Sequence, residues 1–431
     1  MNTLFEFFSF SDPNVRFVAF GSVLLTASSA LVGTFTFLDK KSLVGDAIAH
    51  AVLPGICLGY LAAGTKNPWY LIAGAFLTGW LSLVVIEQIT SRTRIKEDTA
   101  IGIVLSVFFG LGILMLTAIQ KTGSASQSGL DHFIFGKAAA LVGEDLIVFS
   151  VVGTVLVIAV WLLFKEFTLL AFDKEFALAS GMPVKTIRLV LTVLVVLAVV
   201  IGIQAVGVIL MAAMLITPAA AARYWTDSVK VMVILASLFG AVSGLSGAYI
   251  SWLAPSLPTG PWIVVVISAI AFFSFFLSPR KGIVARYIKQ RNNRRIINSE
   301  NVLKAFYQLG EETHDFFAER TQRAISERRR MSMETLRFHL KRLAAQGYVT
   351  VRGTGWALTP EGMKKGKRIV RLHRLWELYL TTKMNIAPDH VHDDADTVEH
   401  LITPELEAEL EQQLNYPSTD PHASRIPYEE R

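Results

Sequence analysis

Asp46 and His50 are the pair in this sequence best suited to hold an ion. They stand in the run Gly45-Asp46-Ala47-Ile48-Ala49-His50-Ala51-Val52-Leu53-Pro54-Gly55. Spacing of i and i+4 on a helix puts both side chains on one face. A carboxylate oxygen beside an imidazole nitrogen suits Mn²⁺, Fe²⁺ or Zn²⁺. Ionisable groups deep in an apolar segment are costly, which makes them functional candidates. A proton relay, or a stabilising contact with a neighbouring helix, would use the same pair. Pro54 and Gly55 predict a loosened helix whose carbonyls turn toward a cavity. Glu87, close to the end of its apolar segment, reads as a snorkelling charge.

Ligand-type residues gather a second time near the C-terminus. They lie in His373-Arg374-Leu375-Trp376-Glu377 and in His392-Asp393-Asp394-Ala395-Asp396-Thr397-Val398-Glu399-His400. Other chemistry is excluded. No GxxxxGK[ST] loop is present to cradle phosphates, so ATP hydrolysis is expected in a separate subunit and the chain is not an enzyme. The single cysteine, Cys57, permits neither an internal disulfide nor a CxxC metal site.

Two solvents must position these residues. Of the 431 residues, 52% are hydrophobic and 18% charged, against roughly 25% charged in soluble proteins. Residues 1–279 hold 15 Lys/Arg and 14 Asp/Glu, and residues 280–431 hold the remaining 26 and 21. Lipid is expected around the first part and water around the second. Apolar segments near 15–38, 45–63, 69–90, 99–119, 145–164, 187–203, 205–222, 229–251 and 261–278 predict nine spans. Eight is the alternative, because Gly202, Gln204 and Gly207 interrupt one long run. Residues 1–12 lack the basic start of a cleavable signal, and the segment Leu4-Phe5-Glu6-Phe7-Phe8 could lie along the membrane surface.

Lys40/Lys41, Arg92/Arg94/Lys96, Lys174/Lys185/Arg188 and Arg223/Lys230 fall in alternate loops, which makes those loops cytoplasmic. The N-terminus is then outside and the C-terminus inside, as an odd number of spans requires. The cytoplasmic loop 165–186 contains Asp173-Lys174-Glu175-Phe176-Ala177-Leu178-Ala179-Ser180-Gly181. It predicts a short helix stopped by Gly181 and Pro183. Asp131 and His132 belong to the outer loop 120–144.

Behind the last span comes a basic stretch with no acidic residue before Glu300: Arg280, Lys281, Arg286, Lys289, Arg291, Arg294 and Arg295. Anionic membrane lipid would attract it. Helices at Val302–Leu309, roughly 315–327 and Ser332–Gln346, then a hairpin through Val351 and Trp356, form a winged helix-turn-helix pattern. Its recognition helix carries Arg337, His339, Lys341 and Arg342.

The first part resembles the ABC-type permeases that import Mn²⁺, Zn²⁺ or Fe²⁺ with an external binding protein. The resemblance lies in residues 38–55, in Arg94-Ile95-Lys96-Glu97-Asp98-Thr99-Ala100-Ile101-Gly102-Ile103, in Leu130-Asp131-His132-Phe133-Ile134-Phe135-Gly136, and in Val206–Met211 through Thr217-Pro218-Ala219-Ala220. It implies that Asp46 and His50 line the ion pathway. It also implies that loop 165–186, with Asp173, Glu175 and Gly181, is pressed by a separate ATPase. The partners implied are that ATPase, a second permease subunit and an extracellular or periplasmic metal-binding protein that meets Asp131 and His132.

The last part resembles the metal-dependent repressors of the diphtheria-toxin type, through the two ligand motifs and the ending Pro417–His422 with Ile426-Pro427. The resemblance implies one metal site with His373, Glu377 and His392, and an adjacent one with Asp396, Glu399 and His400. Asp396 stands where that family has Cys or Glu. Two first-helix ligand positions fall on Asn301 and Lys304, and a lysine opposes a bound metal. The tether to a span favours a regulatory tail over a DNA-bound one.

The fold expected is an all-α polytopic membrane protein followed by a soluble winged helix-turn-helix plus a helical dimerisation-type domain. The divisions are 1–280 for the permease, 281–297 for a basic linker, 298–360 for the winged helix and 361–431 for the helical part. Mn²⁺ is the expected cargo, with Zn²⁺, Fe²⁺ or a chelated metal as alternatives and no permanently bound cofactor. A membrane-tethered, metal-responsive DNA-binding regulator is the rival reading. Location is the cell membrane, with a cytoplasmic C-terminal domain.

Overall fold

The computed structural model describes residues 2–65, 67–121, 136, 141, 143–253, 257–329, 331–387, 400 and 402–428. Asp131, His132, His392, Asp396 and Glu399 lie outside the described residues. The chain divides into two compact units, Met1–Arg286 and Tyr287–Arg431.

The first unit is helical. Its elements are α1 (Asn2–Phe8), α2 (Pro13–Leu38), α3 (Val44–Ala63), α4 (Pro68–Arg92), α5 (Glu97–Lys121), α6 (Gly143–Leu162), α7 (Phe164–Phe172), α8 (Lys174–Ala179), α9 (Val184–Val206), α10 (Val208–Trp225), α11 (Val229–Leu253) and α12 (Thr259–Leu277). Helix starts are written locally. Asp12 and Asn67 each precede a proline and accept a backbone N–H, from Asn14 at 2.8 Å and from Trp69 at 3.0 Å.

Among the described residues, eight helices are long and apolar enough to cross a membrane: α2 to α6, α9, α11 and α12. The ninth expected segment corresponds to α10. Its 18 residues, about 27 Å long at ~1.5 Å per residue, fall within the roughly 17–25 that can cross a membrane. The long apolar run breaks at Gly207, whose φ of 88° glycine adopts freely.

Burial ranks the helices. In α3, 78% of the best apolar window is buried, and in α2 and α9 61%, against 28% in α5 and 22% in α12. The helix that carries Asp46 and His50 is thus the most enclosed. Lipid gives helices little hydrophobic drive to associate, so close backbone approach must do that work. Gly55 and Gly74 supply it between α3 and α4. A Cβ on Gly55 would sit 2.1 Å from the Gly74 carbonyl oxygen, and one on Gly74 would sit 2.2 Å from that of Gly55.

The second unit takes in most of α13 (Ile283–Thr313), then α14 (Gln322–Arg329), α15 (Met333–Ala345), the strands β1 (Val349–Arg352) and β2 (Gly355–Leu358), α16 (Pro360–Lys383) and α17 (Pro404–Gln413). The strands pair antiparallel, Val349 with Leu358 and Arg352 with Gly355. Val302, Leu303, Phe306, Ile325, Leu336, Leu340, Leu343, Val349 and Leu358 form one core, the packing of a winged helix-turn-helix. The second helix begins at Gln322, later than the expected 315. The preceding backbone is used otherwise: His314 is left-handed, at φ 56°, and Arg320 exchanges backbone hydrogen bonds with Trp356 of the wing.

Candidate functional site

Asp46 lies in the first turn of α3, where the helix dipole favours a carboxylate. Its Oδ1 is 3.6 Å from His50 Nε2. The imidazole meets the ring of Phe109, from α5, edge-on at 4.9 Å. His50 Nδ1 is buried with no hydrogen-bond partner. The residues between and just after the pair, Ala47 to Ala49 and Ala51 to Leu53, have at most 1% exposure, yet the Asp46 side chain keeps 36% and that of His50 18%. One polar face therefore opens in the otherwise enclosed stretch 45–57 of this helix.

The helix runs unbroken through Pro54, so the expected loosening is not seen. Pro54 still has no N–H for the carbonyl of His50, four residues back. Gly55 serves the contact with α4 described above. Glu87 is exposed on α4.

Among the described residues, no group of three or more His, Cys, Asp or Glu side chains could hold a metal. A carboxylate oxygen and an imidazole nitrogen on one face are donor types that suit a divalent transition-metal ion. The sequence identified this pair from spacing alone. It could not supply Phe109, 59 positions from His50, which α3–α5 packing brings to the ring.

The loop 165–186 folds into α7 and α8. Asp173 caps α8 by accepting the Phe176 N–H at 2.8 Å. Gly181, at φ 76°, ends it, with Met182 N–H bonded to the Ala177 carbonyl at 3.1 Å. Glu175 is exposed, and so are Phe172, Phe176 and Leu178, each by more than half. Exposed apolar side chains at the end of α7 and on the short α8 suit a partner surface.

In the second unit, the described ligand-type residues form two His–carboxylate contacts. His373 Nε2 is 3.0 Å from Glu377 Oε1, both buried on α16. His400 Nδ1 is 2.7 Å from Glu300 Oε2, and Lys365 Nζ reaches the other oxygen of Glu300 at 3.2 Å. Burial alone would raise the Glu300 pKa, but the His400 and Lys365 contacts outweigh it and hold the carboxyl below its ordinary range. Glu300 was not singled out by sequence reasoning. Its partner His400 is 100 positions away, and no local pattern announces such a pair.

Of the recognition-helix residues, Arg337 and Lys341 are exposed, whereas His339 is 3% exposed and its Nδ1 is 2.9 Å from Ser299 Oγ. Burial, then Arg342 and Arg295, lowers the His339 pKa. The unfolded chain therefore binds more protons as pH falls below about 6.5. Stability from neutral His339 is complete above that value and is lost as pH falls toward the lower folded pKa. Thermal unfolding of the full chain is expected to weaken across that window. His339→Gln should flatten the dependence, and an unchanged slope would assign it to another group.

Residues 11–278 match the family model described as the ABC 3 transport family. Residues 359–428 match that described as the iron dependent repressor, metal binding and dimerisation domain. The manganese transport system membrane protein MntC of Bacillus subtilis is 41% identical over 385 residues, covering 89% of this chain and 87% of that protein. The zinc transport system membrane protein TroC of Treponema pallidum is 44% identical over 282 residues, covering 65% and 95%. The solved structure of PsaBC from Streptococcus pneumoniae in complex with Fab aligns at a TM-score of 0.60 and 33% identity, covering 67% of this chain and 99% of that one.

Proposed function

The chain belongs to the ABC 3 transport family, and on that premise we propose that it carries Mn²⁺ into the cell through a path lined by Asp46 and His50. It is a multi-pass membrane permease, not an enzyme; ATP is hydrolysed by a separate subunit. Its C-terminal, repressor-like domain is a cytoplasmic regulatory tail. The observation that carries the pathway reading is the partly open Asp46–His50 pair in the most buried span. The choice of Mn²⁺ is supported by the MntC relative, which matches across both units. The TroC relative favours Zn²⁺ as the second reading. Uptake of radiolabelled Mn²⁺, Zn²⁺ and Fe²⁺ by cells with and without the chain tests this. Mn²⁺ uptake should depend most strongly on the chain, and a dependence confined to Zn²⁺ would replace the manganese reading.

We read Asp173, Glu175 and Gly181 as the frame of the ATPase-coupling loop, with Phe176 as its apolar contact. Asp131 and His132 would receive the ion from an external binding protein, and a second permease subunit would complete the path. Phe176→Glu puts a charge into that contact. It is expected to cut uptake by about ten-fold or more, as loss of an anchoring aromatic does at other interfaces, while the chain still reaches the membrane. Normal ATP-driven uptake by this variant would place the coupling contact elsewhere.

The recognition helix α15 buries His339 and leaves Arg337 and Lys341 exposed, which weakens the DNA-binding reading. We divide the chain functionally into a permease at 1–280, a basic linker at 281–297, a winged helix at 298–360 and a helical dimerisation part at 361–431. Anionic lipid is the natural partner of the linker.

A further inference from the structure

Arg188 and Thr36 each bury a hydrogen-bonding atom that has no partner among the described residues. Arg188 lies one turn into α9, and the buried atom is its Nε. Thr36, near the end of α2, is 4% exposed. A threonine hydroxyl on a helix can donate to the carbonyl four residues earlier, as those of Thr26 and Thr34 do at 2.8 Å. Thr36 Oγ1 does not. Buried polar atoms without a partner are rare, and they mark a place for water or an ion.

Both residues line one cavity of about 40 Å³ between α2, α3, α4 and α9. Asp39, Lys41 and Thr192 complete its polar lining, and Val44 bounds it at the start of α3. At ~10–15 Å³ each, about three oxygen-sized atoms fit. Lys41 keeps 35% of its side chain exposed, so the lining reaches the surface that the basic residues mark as cytoplasmic. Lys41 meets Glu97 at 3.9 Å, too far for a hydrogen bond.

Two cations, Arg188 and Lys41, face one carboxylate, Asp39, which leaves one positive charge on the lining. The start of α9 has no side-chain cap, and its dipole adds to that potential. A singly charged oxyanion neutralises such a lining. A guanidinium fork matches the oxygens of a phosphate. A phosphodiester carries one negative charge on two unshared oxygens, which suits both the charge and the room.

We propose that this cavity binds a phosphate group, held by Arg188 and Lys41 with the Thr36 hydroxyl as a further donor. A phospholipid headgroup of the cytoplasmic leaflet and free inorganic phosphate are the two sources of that chemistry. Arg188 follows loop 165–186, and Val44 precedes Asp46 by two positions. The bound group therefore ties the start of α9 to the start of the helix that carries Asp46 and His50. The proposal is independent of which ion the permease carries.

The test titrates the full chain in detergent and reads the thermal midpoint, which a ligand of the folded state raises. Sodium phosphate is compared with sodium chloride at matched ionic strength. Short-chain phosphatidylglycerol is compared with a short-chain diacylglycerol that lacks the phosphate. A saturable rise with phosphatidylglycerol alone assigns the lipid source, and one with sodium phosphate alone assigns the free ion. A rise with both means that the group is recognised apart from its source. Arg188→Gln is expected to weaken the apparent affinity about ten- to a hundred-fold, as loss of a hydrogen bond to a charged group does. Thr36→Val keeps the shape, removes only the hydroxyl and should cost about three- to ten-fold. If Arg188→Gln does not fold, Thr36→Val carries the comparison. No rise beyond the chloride and diacylglycerol controls would overturn the proposal and leave a water-filled cavity. An unchanged affinity in either folded variant would overturn it as well.

Discussion

Asp46→Ala and His50→Ala are each expected to lower metal uptake on the order of 100-fold or more while the permease still reaches the membrane and assembles. Loss of groups that merely orient a metal ligand costs about 10–100-fold, and loss of a ligand itself should exceed that. With two such side chains on the face, neither can stand in for the other. The conservative pair separates chemistry from packing. Asp46→Asn keeps the shape and removes the charge. His50→Gln keeps a polar side chain but loses the imidazole that meets Phe109. Both are expected to behave like the alanine variants in radiolabelled uptake. Uptake at the parental rate in Asp46→Ala and His50→Ala would remove the pair from the pathway.

Gly55→Ala is expected to be among the most damaging single-methyl additions in the membrane unit. The new Cβ would lie 2.1 Å from the Gly74 carbonyl oxygen and 2.2 Å from Thr78 Oγ1. The first of these is backbone and cannot turn aside, so α3 and α4 must separate. Overpacking of this kind costs roughly 1–3 kcal/mol, and a backbone clash belongs at the upper end. The helix displaced is the one that carries Asp46 and His50, so uptake should fall with stability. Gly102→Ala is the control, since its Cβ would meet nothing within 4 Å. There, helix propensity alone predicts a gain of up to ~1 kcal/mol. Thermal unfolding of both variants in detergent checks the contrast. Equal midpoints would mean that the Gly55–Gly74 approach does not hold the bundle together.

Much of this molecule is written in short stretches of sequence. The apolar runs dictate spans because a backbone in lipid must satisfy its own hydrogen bonds. Asp12, Asn67, Asp173 and Ser332 cap helices, and Gly181 ends one, because the groups they satisfy lie within a few residues. Asp46 and His50 share a face because the helical repeat puts them there.

Tertiary structure decided what spans long separations. It made α3 the enclosed helix, brought Phe109 to His50, and turned His339 inward toward Ser299 from a helix whose pattern suggested a DNA-facing role. It joined His400 to Glu300 across 100 positions and enclosed Lys304. Periodicity reports which face of an element is apolar. It carries no information about which distant charge will be buried opposite that face, because that partner is chosen by the packing of whole helices.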